Sequence, residues 1–342
     1  MKNIYPVLLA GGKGTRLWPL SYERESKSFA RIGKMRPLIT ETIDRLSGLA
    51  GKKNIFFVVD EAQKNTLTRF TGSIPARNIL VEPFGRSTAC AVGLAAIGLH
   101  PEAIMAVFPT DALIRENGKF RRVIKKAARF VTSESDALLC VGISPKGAST
   151  AYGYIKLGPR EKGGVYAVSK FTEKPTMRRA GEFIKSGNYL WNAGMFVFKA
   201  KSILGAIKKH APLLYSGLQE IKKEKRNKRA VYSRMKNVSI DYQIMEKSAN
   251  LHCVKGDFTW DDLGSWKSME KLFKKDKSGN ARFGKATLLD TKNCIVYNST
   301  GEKLGVVGVS NAIIARTKGG TLVAGKDDAE KVKELVERLK KG

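Results

Sequence analysis

The stretch Val7-Leu8-Leu9-Ala10-Gly11-Gly12-Lys13-Gly14-Thr15-Arg16-Leu17-Trp18-Pro19-Leu20 decides how the rest of the chain is read. An apolar run breaks into three glycines that carry Lys13 and Arg16, so a buried strand empties into a loop whose backbone amides can close around an anion. That is a phosphate site in outline. Two better-known loops fail the comparison. The dinucleotide fingerprint needs a third glycine where Leu17 stands, and the Walker loop needs Ser or Thr after Gly-Lys, where Gly14 stands. The glycines alone also suit a tight strand-to-helix turn; Arg16 and the motifs downstream move the reading toward phosphate chemistry.

Outward from this loop the pattern is βαβα. Apolar runs at Asn54 to Val59, Asn78 to Val81, Ala103 to Phe108 and Asp136 to Ile143 read as parallel strands covered on both faces. Helices are expected at Thr40 to Leu49, Ser87 to Leu99 and Lys119 to Val131. Asp111 follows the third of these strands, at the edge where open α/β sheets bind ligands. From Tyr152 the segments alternate, at Tyr152 to Lys156 and Val165 to Phe171, and read as an antiparallel addition to the sheet, with helices near Met177 to Lys185 and Leu204 to Lys209. Beyond about Gly279 short strands and turns predominate, which divides the chain into a large α/β domain over 1–278 and a β appendage over 279–342. A closing helix carries Val332, Leu335, Val336 and Leu339 at i, i+3, i+4 and i+7. That stripe needs a partner surface, either its own β unit or a second copy in a homodimer.

Composition limits the function classes. The 342 residues allow a large core plus a smaller unit, and the hydrophobic share of 42% is ordinary. No apolar run approaches the roughly 18 residues of a membrane helix. Met1 to Pro6 leads into the first strand without an apolar leader, so a cytoplasmic protein is expected. Cys90, Cys140, Cys253 and Cys294 match neither a CxxC metal site nor a disulfide framework. His100, His210 and His252 are equally scattered, so zinc and Ser-His-Asp catalysis have no local signature. The 62 Lys and Arg against 31 Asp and Glu leave a net charge of +31. They are dispersed, the densest run being Ile221 to Arg229. Without a nucleic-acid module they read as a solvated basic surface that draws anionic substrates inward.

Several words follow in order: Gly11 to Leu20, Glu82-Pro83-Phe84-Gly85-Arg86-Ser87-Thr88-Ala89, Phe108-Pro109-Thr110-Asp111, Tyr152-Gly153-Tyr154-Ile155, Phe171-Thr172-Glu173-Lys174-Pro175, Trp191 to Phe196, Ser239-Ile240-Asp241-Tyr242 and Trp260 to Trp266. Together they resemble mannose-1-phosphate guanylyltransferases, within the sugar-phosphate nucleotidylyltransferases. The resemblance implies an α/β fold: a Rossmann-like nucleotidyltransferase domain with a mixed, mostly parallel sheet, then a small left-handed β-helix-like unit and terminal helix. It implies GTP and mannose 1-phosphate as substrates, GDP-mannose and pyrophosphate as products, and neither a membrane nor a specific nucleic acid as partner. Other hexose phosphates or bases, and a non-catalytic regulatory relative that binds nucleotide sugars, are the alternatives. Longer relatives continue into an isomerase domain, so isomerase activity is not expected of a chain that stops at Gly342.

Transfer of a nucleotidyl group must neutralise several negative charges and hold the attacking oxygen in line with the leaving pyrophosphate. By the resemblance, Arg16 grips the triphosphate on a loop formed by Gly11, Gly12, Gly14 and Thr15, with Lys27 as a second cation. Lys174 meets the sugar's phosphate. Glu173 and Asn192 receive the sugar hydroxyls with the backbone at Gly153, while Glu82, Arg86 and Thr88 face the base. Asp111 and Asp262 would hold one Mg²⁺ or another divalent cation, a hard ion that takes one or two carboxylates plus phosphates and waters. Asp261 is expected to be structural. The chain departs from the family pattern at Ser26, Ser28, Ser87, Cys90 and Ala112, which bears on base and sugar preference rather than on reaction type.

Overall fold

The structure is a computed structural model that describes residues 4–12, 14–21, 26–224 and 227–340. Strands β1 (Ile4–Leu9), β2 (Phe56–Asp60), β3 (Ile79–Glu82) and β4 (Ile104–Pro109) lie parallel in the order β3-β2-β1-β4. Their alternating residues serve two cores. Ile4, Leu8, Ile104, Ala106 and Phe108 face one side of the sheet, and Val7, Met105 and Val107 face the other. Burial on both faces is why these strands read as continuous apolar runs rather than as alternation.

The short β5 (Ala112–Ile114) leaves the sheet. It is rejoined by β6 (Leu138–Ile143), β7 (Tyr154–Arg160), β8 (Val165–Thr172), β9 (Tyr189–Lys199) and β10 (Leu251–Gly256), giving the order β3-β2-β1-β4-β9-β6-β10-β8-β7. Only β9 and β8 run against the rest. The expected antiparallel addition lies at the edge as β8 and β7, whereas β9, which had no counterpart in the expected strands, inserts between β4 and β6 at the centre. The helix expected at Thr40 to Leu49 runs over Leu38–Arg45, and a helix over Pro212–Lys223 had no counterpart in the sequence reading. Strand β11 (Trp260–Asp262) pairs antiparallel with β5.

The appendage is a coil of parallel rungs. Strands β12 (Ala281–Phe283), β14 (Ile295–Asn298) and β16 (Ala312–Thr317) stack on one side, and β13 (Ala286–Leu289) stacks on β15 (Leu304–Val307) on another. Buried Asn280 and Asn298 tie the corners. The Asn280 amide donates to the Thr291 carbonyl at 2.8 Å, and the Asn298 amide to the carbonyls of Lys285 and Glu302 at 2.8 and 2.7 Å. Strand β17 (Gly320–Gly325) turns back along β16.

The apolar core of this coil is continuous with the catalytic domain. Ile295, Tyr297, Ile313, Leu322 and Val332 share one cluster with Leu17, Ile32, Leu38, Leu263 and Trp266. The terminal helix, Val332–Leu339, buries Val332 and Val336 and leaves Leu335 and Leu339 exposed. One of the two anticipated surfaces is met, because Val332 packs with Ile295, Ile313 and Leu322 of its own β unit, and the helix packs in addition on the Thr15–Leu17 turn of the glycine loop. All four cysteines are free and buried. No helix among the described residues is long and apolar enough to cross a membrane.

Candidate active site

Strand β1 delivers the glycine loop to the carboxyl edge of the sheet, and the Ala10 amide keeps the strand's last bond to Val58 at 2.8 Å. Gly14 has φ 57°, the left-handed region, and a β-carbon there would stand 3.0 Å from the Lys27 side chain. The next three residues, Thr15–Leu17, form a single 3₁₀ turn. Arg16 projects from this turn and places Nε 2.8 Å from Glu330 Oε2. Lys13 lies outside the described residues.

Asp111 and Asp262, distant in sequence, meet through the β5–β11 ladder. Asp262 is paired with Ala112, the neighbour of Asp111. Between them stands Lys27, its ammonium 3.1 Å from Asp111 Oδ2 and 3.1 Å from Asp262 Oδ1. Burial alone would lower the Lys27 pKa, but the charges of Asp111 and then Asp262 outweigh it and hold the pKa above its ordinary value. The alternation of β11 sends Asp261 the other way, into an ion pair with Lys271. Among the described residues no three His, Cys, Asp or Glu gather into a metal cage. Two half-exposed carboxylates facing a cavity are instead the donor set that suits Mg²⁺.

Asp111 borders three adjoining cavities, and Asp262 borders two of them. One of about 290 Å³ lies against Gly14, Thr15, Arg16 and Lys27. A second, of about 240 Å³, is lined by Gly11, Gly12, Lys27, Thr88 and Asp111. The third, about 220 Å³, gathers Asp111, Gly153, Glu173, Lys174, Asn192 and Asp262. A larger cavity of about 980 Å³, between Phe29, Arg31, Arg36 and Tyr297, includes none of these groups.

In the third cavity Glu173 is largely buried and its pKa is pushed up to about 7, first by burial, then by Asp241, against the pull of Lys174. Gly153 makes room for it, because a β-carbon there would lie 2.3 Å from Glu173 Oε2. Lys174 stands 3.7 Å from Glu173 and has φ 44°, unusual for a side chain other than glycine. Asn192 is fixed from both ends: its amide donates to Asp241 Oδ1 at 2.8 Å, and its oxygen accepts from the Gly194 amide at 3.1 Å. Asp241 was not assigned a role from sequence. Its motif, Ser239 to Tyr242, was visible, but the contact to Asn192 exists only once the chain has folded.

The expected base-facing residues are placed less directly. Glu82 is buried behind the loop, 3.7 Å from where a β-carbon on Gly11 would be. Burial first, and Asp60 next among the raising influences, bring its pKa up to about 7 against the opposing charge of Lys228. Arg86 donates from Nε to the Tyr232 carbonyl at 3.0 Å and from Nη2 to Ser233 at 2.8 Å, so two of its donors brace the helix Lys228–Arg234. Thr88 Oγ1 accepts from the Ile240 amide at 2.9 Å.

Residues 5–279 match the nucleotidyl transferase family, and residues 284–339 match the MannoseP isomerase/GMP-like beta-helix domain. The mannose-1-phosphate guanylyltransferase of Escherichia coli is 33% identical over 98% of this chain and 74% of its own length. The alginate biosynthesis protein AlgA of Pseudomonas syringae pv. tomato is 33% identical over 98% of this chain and 71% of its length. The crystal structure of mannose-1-phosphate geranyltransferase from Thermus thermophilus superposes with a TM-score of 0.88 at 32% identity, covering 99% of each chain.

Proposed function

The chain belongs to the nucleotidyl transferase family, and from that premise we propose that it transfers GMP from GTP to mannose 1-phosphate, giving GDP-mannose and pyrophosphate. One observation carries this reading. Asp111 and Asp262 border both the cavity at the glycine loop and the cavity of Glu173, Lys174 and Asn192, so two phosphorylated substrates would meet at one charged junction. An oxygen of the sugar phosphate attacks the α-phosphorus, the bond to the β-phosphate oxygen breaks, and pyrophosphate leaves with that electron pair.

Arg16 and Lys27 hold the triphosphate and oppose the charge that grows on the leaving group. Lys174 holds the sugar phosphate, while Glu173 and Asn192 accept and donate at the hydroxyls and so fix the angle of attack. Mg²⁺ at Asp111 and Asp262, when bound, neutralises charge on the phosphates of both substrates. Incubation with GTP, mannose 1-phosphate and Mg²⁺, read by released pyrophosphate, tests the proposal. A higher kcat/KM with another base or hexose phosphate would reassign the substrates, and no pyrophosphate from any pair would overturn the activity. Lys174→Ala should raise KM for the sugar phosphate well above KM for GTP, whereas Arg16→Ala should chiefly depress turnover. Equal effects on both substrates in both variants would refute this division.

A further inference from the structure

The last segment of the chain returns to the mouth of the glycine-loop cavity. Packing of Val332 in one cluster with Leu17 fixes its register there, and the residues on either side of Val332 are thereby aimed. Glu330 reaches Arg16, and Lys333 lines the cavity of about 290 Å³ together with Arg16, Lys27, Asp111 and Asp262. We propose that Lys333 is a phosphate-binding residue of this site, and that Glu330 holds Arg16 until a polyphosphate takes its place. The inference rests on the reading that a nucleoside triphosphate occupies the glycine loop.

Charge balance supports it. Among the described residues the cations of this cavity are Arg16, Lys27 and Lys333. Lys27 is buried and shared by two carboxylates at 3.1 Å, whereas Arg16, 2.8 Å from Glu330, and Lys333, 3.9 Å from Glu337, both sit in exposed pairs. Exposed pairs of this kind are weak and exchange readily. Arginine-phosphate contacts are charge-assisted and can be bidentate, so a polyphosphate outcompetes the Glu330 carboxylate. The neighbouring Lys331 pairs with Asp328 at 2.8 Å and is not among the residues lining the cavity, which makes it the comparison residue.

The experiment titrates pyrophosphate with Mg²⁺ into the full chain by calorimetry and measures KM for GTP and for mannose 1-phosphate separately. Lys333→Ala should weaken pyrophosphate and raise KM for GTP by roughly tenfold each, with KM for mannose 1-phosphate changed by less than about twofold. Lys333→Arg should restore both, and Lys331→Ala should match the unmutated chain. Glu330→Gln should tighten pyrophosphate by about two- to threefold, since it removes the competing carboxylate. Lys333→Ala binding pyrophosphate as tightly as the unmutated chain, or no more weakly than Lys331→Ala, would overturn the proposal. If the unmutated chain turns over no substrate pair, the proposed reaction falls instead, and the titration still decides Lys333.

Discussion

Asp261 and Asp262 are adjacent carboxylates with opposite surroundings, one paired with Lys271 and the other facing Lys27 across the cavity from Asp111. Asp262→Asn and Asp111→Asn should leave the fold intact, by circular dichroism, and cut turnover by roughly 10² or more, comparable to losing a preorganised electrostatic contact. Asp261→Asn should do far less. Folded Asp262→Asn protein with near-normal Mg²⁺-dependent turnover would remove it from the site. Glu173 gives a pH signature. With its pKa raised to about 7, the carboxyl is protonated below that pH and loses an acceptor for a sugar hydroxyl; above it the carboxylate is complete. The kcat/KM for mannose 1-phosphate should therefore rise as pH increases through about 7, and Glu173→Gln should lower it and remove that limb. A limb that persists in Glu173→Gln would assign it to another group. Arg16 and Glu173 were legible because each sits in a recognisable run, whereas Lys27 lies between Ser26 and Ser28, where the chain departs from the family pattern. Asp241 was not legible, since its importance lies in a bond to Asn192 rather than in its own neighbours in sequence.

Elements were legible in proportion to how fully their pattern is local. Strands β1 to β4 announce themselves because burial on both faces leaves an unbroken apolar run. The central position of β9 does not, because an antiparallel strand at the middle of a sheet has the same composition as one at its edge. The three-residue pair β5 and β11 is shorter still, too short to carry any periodicity, yet it brings Asp111 and Asp262 together. The terminal helix had a clear apolar stripe, but the stripe could not say which surface it would meet. The turn into β7 makes a testable case for close approach. Gly153→Ala would drive its new methyl into Glu173 Oε2 and displace the carboxylate, so KM for the sugar phosphate should rise about tenfold or more, since roughly 1 Å of misplacement can cost about 10²-fold. An unchanged KM in steady-state kinetics would mean that Glu173 relaxes without touching substrate.

At the scale of the whole molecule, a net charge of +31 raises the local concentration of anionic substrates without specifying a nucleic acid. Binding to duplex DNA should be weak, blind to sequence and lost steeply with salt; a sequence-selective complex that survives about 200 mM salt would refute this. The hydrophobic cluster shared by Leu17 and residues from Ile295 to Val332 has a consequence during synthesis. The glycine-loop turn is made early, but the side chains that pack beneath it are made far later. Trp18 likewise accepts a bond from Trp266 at 2.9 Å, and Pro19 one from Thr317 at 2.8 Å. A nascent chain still attached to the ribosome short of the β-coil has Leu263 and Trp266 against the loop but lacks Ile295, Ile313, Leu322, Val332 and the Thr317 bond, so its loop should be only partly seated. Full phosphate binding, and with it turnover, should therefore appear only after the β-coil and Val332 have emerged; ribosome-stalled chains ending before Ala281 that bind pyrophosphate as the complete chain does would refute this.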